Sequence, residues 1–248
     1  MQALIEFLSS YEPLYRTVVK GYDERDVARF EQALGRPVPP AQRNFLLTAA
    51  ANVGFLLGEL TFDIDELIYM AEFKRPMLER MSGLLTPFAW DLSASHSDFY
   101  IYLGRPAEDG DGEIVRSASG GTEFDDIHVA PSIRDMLFYS GFQEIRMLPL
   151  IHKTDISWHS ADFPKDGPTP TLAALHSLLE QLGFRSLGVT GPAHPLYERD
   201  DCAATARKNW NSPMIGITLA AKDERTLDTI AEILIDNIPG KATRRLPM

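Results

Sequence analysis

Apolar positions recur at helical spacing from the first residues of the chain. Leu4, Ile5, Leu8, Tyr11 and Tyr15 share one face, which predicts an amphipathic helix over residues 2–19, ended or kinked at Pro13. Asp23, three residues before Asp26, is placed to cap a second helix in which Val27, Phe30 and Leu34 fall on one side. Gly35 suits a left-handed C-cap. Pro37 and Pro39 keep the linker extended, and Pro40 can open a third helix, where its missing N–H costs nothing. Phe45, Leu46 and Ala49 continue the apolar stripe. The stretch from Phe30 to Phe55 therefore predicts a helix, a stiff connector and a helix.

Beyond Gly54 the pattern shortens. Residues 55–64 mix apolar and polar positions as strands do, and Asp63-Ile-Asp65-Glu66-Leu67 opens another helical turn. Residues 71–82 are polar and poorly periodic. Phe88-Ala-Trp90 and Phe99-Tyr-Ile-Tyr-Leu103 are aromatic and β-branched, which predicts strands. Residues 104–112 form a turn-rich loop, and Glu113–Arg116 and Glu123-Phe124 predict two strands around Ser119-Gly-Gly121. A helix is expected from Pro131-Ser132 to about Gly141. Residues 150–170 are polar, irregular and proline-bearing, so a domain boundary or a long connection is expected there. Helices are then predicted at Leu172–Leu182 and Thr226–Ile238, and strands at Phe184–Val189 and Met214–Ala221. The expected architecture is α+β: a mixed helix and antiparallel-sheet domain over 1–150, and a smaller α/β domain or extension over 151–248.

Charge changes this picture more than size does. The net charge is -11, and residues 1–150 hold 23 acidic against 13 basic side chains, whereas 151–248 hold 12 against 11. An acidic first part disfavours direct nucleic-acid binding, which needs a surplus of Lys and Arg. It fits a basic protein partner, although ordinary solubility also explains it. No apolar run reaches the roughly 20 residues of a membrane span. The N-terminal segment carries Glu6 and lacks a basic leader, so it reads as a helix and not as a signal peptide. The single cysteine, Cys202, fits a reducing compartment. A cytoplasmic protein is expected.

Several groupings could carry chemistry. His152, Asp155 and His159 are metal-ligand types, and on a helix their spacing would share a face. A metal-dependent hydrolase built on them is one alternative, although the segment does not look helical. Cys202 with His194 and Asp200 or Asp201 has the residue types of a thiol nucleophile and its base, but two preceding aspartates would raise the thiol pKa. Ser119-Gly-Gly121 could offer amides to an anion or form a hairpin turn. Trp90, Tyr100 and Tyr102 read equally as core or as binding anchors. The sequence has no G-x-S-x-G, no glycine-rich phosphate loop, no G-x-G-x-x-G, no H-E-x-x-H and no paired-cysteine motif, so nothing among these motifs argues for an enzyme or a cofactor. Two acidic groups stand out: Glu59, Asp63, Asp65 and Glu66, then Glu108, Asp109, Asp111, Glu113, Glu123, Asp125 and Asp126. Their spacing is not that of a calcium-binding helix–loop–helix.

Phe30-Glu31, Leu34-Gly35, Val38-Pro39, Phe45-Leu46 and Asn52-Val53-Gly54, followed by the acidic turn at 63–67 and a closing helix like 132–138, give residues 20–145 a family likeness. This stretch resembles the SMI1/KNR4 family of the SUKH superfamily, with Asn52-Val53-Gly54 where that family often shows Asn-Gly-Gly. The resemblance implies an α+β domain that binds proteins and catalyses nothing. Many bacterial members are immunity proteins of polymorphic or contact-dependent toxin systems, and fungal members are scaffolds. The expected function is an immunity protein that occludes a cognate, nuclease-like toxin, with Asp63, Asp65, Glu66, Glu108, Asp109, Asp111, Glu113, Asp125 and Asp126 as contact residues. A regulatory or scaffold module, with the C-terminal part recruiting another partner or forming a homodimer, is the second alternative.

Overall fold

Helices occupy the first fifty residues because each begins and ends where the chain supplies a cap. In the computed structural model, which describes residues 1–54, 56, 58, 60–91, 97–106, 112–118, 127–159, 171–208 and 214–245, α1 (Gln2–Tyr11) stops ahead of Pro13 and is followed by the short α2 (Tyr15–Val18). The Asp23 carboxylate accepts the Asp26 N–H at the start of α3 (Glu24–Leu34). That helix closes on Gly35 at φ +76°, whose N–H reaches the Glu31 and Gln32 carbonyls. α4 (Pro40–Thr48) starts on its proline as the sequence predicts. In the turn that follows, Asn52 Oδ1 accepts the Gly54 N–H at 2.9 Å, and the positive φ falls on Gly54 (+68°), so Val53 is spared it.

Contacts divide the chain into two compact units, Met1–Leu137 and Phe138–Met248. The division lies within a helix, not in the 150–170 segment. In the first unit, β1 (Leu60–Thr61) precedes α5 (Ile64–Phe73) and α6 (Arg75–Arg80). Residues 71–82 are thus largely helical, contrary to their poor periodicity. Pro76 sits in the first turn of α6, where it is harmless, and Met77 and Leu78 are buried. β2 (Leu85–Asp91), β3 (Ser97–Pro106), β4 (Gly112–Ala118) and β5 (Ile127–Ala130) complete a five-stranded antiparallel sheet in simple sequence order. Phe45, Phe62 and Phe88 meet in its core, with ring centroids 5.0–5.7 Å apart. The expected strand at 123–124 lies outside the described residues.

The chain crosses the division along α7 (Ile133–Phe142), which continues into a π-helical turn at Gln143–Met147. The second unit contains β6 (His152–His159), α8 (Leu172–Gln181), β7 (Arg185–Ser186), β8 (Leu196–Arg199), β9 (Cys202–Lys208), β10 (Met214–Ala221), α9 (Glu224–Asn237) and β11 (Ala242–Arg245). Its six-stranded sheet has the order β11-β6-β10-β9-β8-β7, and every pairing is antiparallel. Eight residues of the segment expected to be an irregular connection are therefore β6, hydrogen-bonded on both sides. Ile156 and Trp158 of β6, Ala204 and Ala206 of β9, and Ile215, Ile217 and Leu219 of β10 share one face, which packs against Leu175 and Leu179 of α8 and Leu227, Ile230 and Leu234 of α9. The molecule is α+β.

Candidate protein-binding surface

α5 presents a face that its own folding does not require. The N-cap Asp63 accepts the Asp65 and Glu66 N–H groups at 2.9 and 3.2 Å, so one predicted contact residue already holds the helix start. Asp65 accepts from Arg29 of α3 at 2.8 Å, and Glu66 is exposed beside it. Both carboxylates lie in the first turn, where the helix dipole favours negative charge. All three of these predicted residues are brought together at the surface.

One and two turns further along, Tyr69 and Phe73 stack on each other, their centroids 5.4 Å apart and their planes 13° from parallel. They remain 46% and 61% exposed. Trp90 of β2 extends the aromatic surface, its ring 5.9 Å from Tyr69. The exposed Glu72 and Glu66 flank the pair. Large aromatic groups left in water next to carboxylates form an unusual helix face, since Tyr and Trp bury well and dominate interface energetics.

A buried ion pair holds this face in place. Lys74 ends α5, and its ammonium lies 3.2 Å from Asp98 of β3, with the two side chains only 8% and 1% exposed. Tyr100 donates its hydroxyl to the same Asp98 oxygen at 3.2 Å. Burial, then the neighbouring carboxylate, pushes the Tyr100 phenol well above its ordinary pKa, so it stays protonated and keeps donating. Asp98 stands across from Trp90 in the β2–β3 register. Lys74 thereby ties the end of α5 to the strand pair that carries Trp90, and its ammonium lies 5.5 Å from the Phe73 ring centroid.

The remaining predicted residues fare differently. Glu108, Asp109, Asp111, Asp125 and Asp126, with Glu59, Glu123 and the Ser119-Gly-Gly121 turn, lie outside the described residues. Glu113 is not a surface contact: its carboxylate is 8% exposed, 2.5 Å from Arg105 Nε and 2.8 Å from His128 Nδ1. It sits on β4, a strand as expected, but its side chain is turned to Arg105 and His128 and not to solvent. Tyr100 belongs to the core. Tyr102 is half-buried beneath the Arg105 guanidinium, 5.1 Å from its ring centroid.

The alternative metal site fails on strand geometry. Residues of a strand alternate between faces, so β6 sets His152 on the face opposite the Asp155 and His159 positions, and His152 and His159 lie ~23 Å apart along it. No cluster of three metal-ligating groups occurs among the described residues. The thiol reading fails on electrostatics. Cys202 is buried, and desolvation pushes its pKa up to about 11. Asp201 is engaged by Arg199 at 2.6 and 3.0 Å, and His194 packs against the Tyr139 ring. A thiol so protonated is a poor nucleophile at neutral pH.

Tyr69 and Phe73 were not among the contact residues expected from the sequence. Their signal was available: two aromatics four apart, on the helix side opposite Leu67, Met70 and Ala71. No helix among the described residues is long and apolar enough to cross a membrane. No protein-family model matches the chain, and no curated protein does.

Proposed function

We propose that the first unit is a non-catalytic protein-binding domain that docks a basic partner through α5, and that this partner is a cognate toxin of nuclease type held in the cytoplasm. The observation that carries this reading is the exposed Tyr69–Phe73 stack beside Trp90, flanked by Asp65, Glu66 and Glu72. An aromatic centre with an acidic rim matches a partner surface that is apolar in the middle and basic around it. The likeness of residues 20–145 to the SUKH superfamily and the acidic balance of residues 1–150 support the same direction. A phosphate-handling enzyme presents cationic groups around its active site, and a carboxylate-rimmed patch is suited to cover them. Docking of that kind is fast and weakened by salt.

Affinity purification of the tagged full chain from the cells that encode it, with mass spectrometry and a salt titration, tests the proposal. One basic partner at equal stoichiometry is expected, with affinity falling as salt rises. Tyr69→Ala and Phe73→Ala should each weaken it ~30-fold, the size of an interface hot spot. Asp65→Lys with Glu66→Lys should chiefly slow association. If binding survives both aromatic truncations unchanged, α5 is not the docking face. Several unrelated partners bound at one surface would favour the scaffold reading instead.

A further inference from the structure

The second unit has its own concave site, on the sheet face away from α8 and α9. A depression of about 360 Å³ lies there, within the size range of small-molecule sites, and Tyr139 and Gln143 form one wall. Both of these bond Thr205 at the floor, at 3.3 and 3.4 Å. The registers of four adjacent strands set Arg245, Asp155, Thr218 and Thr205 side by side in one row across the sheet. The next row on that face contains Ser157, Gly216 and Arg207. This alignment of polar side chains cannot be seen in the sequence, where its members are spread from residue 155 to residue 245.

Three features separate this pocket from an ordinary solvated sheet face. The first is charge: Arg146, Arg185, Arg199 and Arg244 of the same unit each hold a carboxylate, whereas Arg207 and Arg245, both exposed and lining the depression, form no ion pair among the described residues. Asp155 stands directly across from Arg245, yet it accepts the Thr218 hydroxyl at 2.6 Å. The second is the floor. A Cβ on Gly216 would approach only the Ile156 carbonyl, at 3.7 Å, so the fold tolerates a side chain there and its absence leaves the depression open. The third is spacing. Arg207 and Arg245 sit on strands three intervals apart, ~14 Å across the sheet, with hydroxyls and one carboxylate between them.

We infer that this pocket binds a small polar molecule with an anionic group at each end, carboxylate or phosphate, and hydroxyl or amine donors in between. Arg207 and Arg245 take the two anions as charge-assisted hydrogen-bond donors. The unused lone pairs of Asp155, with the Ser157 hydroxyl, take the central donors. The inference is independent of the docking face on α5.

Calorimetric titration of the full chain at fixed ionic strength tests it, with fructose 1,6-bisphosphate and citrate as separate probes and inorganic phosphate as the control. Saturable one-to-one binding of at least one probe is expected, and which of them binds decides between phosphate and carboxylate. Arg207→Gln and Arg245→Gln should each weaken binding at least tenfold, and Gly216→Val should abolish it, with melting of all three unchanged within a few degrees. Lys208→Gln, on the opposite face of the same strand, should leave affinity unaltered. The inference is overturned if neither probe saturates below about 10 mM. It is equally overturned if Lys208→Gln weakens binding as much as the pocket variants do, or if a folded Arg245→Gln protein binds like the parent.

Discussion

Removing one partner of the Lys74–Asp98 pair should damage the first unit far more than removing both. The two groups are 3.2 Å apart and almost wholly desolvated, so each offsets much of the cost of burying the other's charge. Lys74→Met leaves a carboxylate in the interior with the Tyr100 hydroxyl still donating to it, and Asp98→Leu leaves an ammonium. Either loss should cost ~3–5 kcal/mol, typical of breaking a buried ion pair by removing one partner. With a urea dependence of ~1.5 kcal/mol/M for a unit of this size, the midpoint should fall by ~2 M or more. The double variant removes both charges and keeps comparable volume, and should lie within ~1 kcal/mol of the parent. The assay is a urea titration read by hydrogen exchange on peptides from α5 and β3, which isolates the first unit from the second. Single variants that shift the midpoint by less than ~0.5 M, or a double variant whose loss equals the sum of the singles, would refute the account of this pair as mutually dependent.

Two further outcomes follow from local geometry and charge. An alanine at Gly21 would place its Cβ 2.0 Å from the Leu47 carbonyl oxygen and 2.4 Å from the Thr48 nitrogen, so the end of α4 must move; a loss of ~3 kcal/mol and a melting shift of ~10 °C are expected, and a shift under ~2 °C would contradict the contact. The Asp201 carboxyl is held below its ordinary pKa chiefly by the Arg199 hydrogen bond, so the stability it contributes is present above its unfolded pKa of ~3.9 and fades as pH falls through the lower folded value. Asp201→Asn should therefore melt below the parent at pH 7, with the difference shrinking as pH falls below the unfolded pKa; a difference independent of pH would rule this out.

The helical punctuation was legible because it depends on single residues with strong local rules. Gly35 at positive φ, the Asp23 cap and the Pro40 start each act within one turn of the chain, and each occurs where the sequence suggests. The strands of the second unit were less legible for reasons that differ between them. In β6, Thr154, Ile156 and Trp158 alternate with Lys153, Asp155 and Ser157, a period of two that the neighbouring polar and proline-rich residues obscured. β9 reads Cys-Ala-Ala-Thr-Ala, and alanine has little strand preference of its own, so only its place between β8 and β10 determines its conformation. Acidic residues marked the rim of the candidate docking face, but its aromatic centre depends on which side of α5 the core leaves uncovered. That is a property of packing, which spacing alone did not reveal. The polar pocket was hidden more deeply, since its rows exist only once four strands have found their register.

The strand order of the second sheet also constrains how a growing chain can fold. The first sheet adds each strand beside the one made just before it, so every new strand meets a waiting partner. β6 meets none. It is the first strand of its sheet to be synthesised, yet it lies between β10 and β11, the last two. While the intervening residues are being made, Ile156 and Trp158 and both hydrogen-bonding edges of β6 await neighbours that do not yet exist. Pairing over such long sequence separations is slow, and an unpaired strand exposed during the wait is a site for association with other chains. The ribosome-bound intermediate of this protein should thus be a finished first unit trailing an unprotected strand, and that interval is when a chaperone would have most to do.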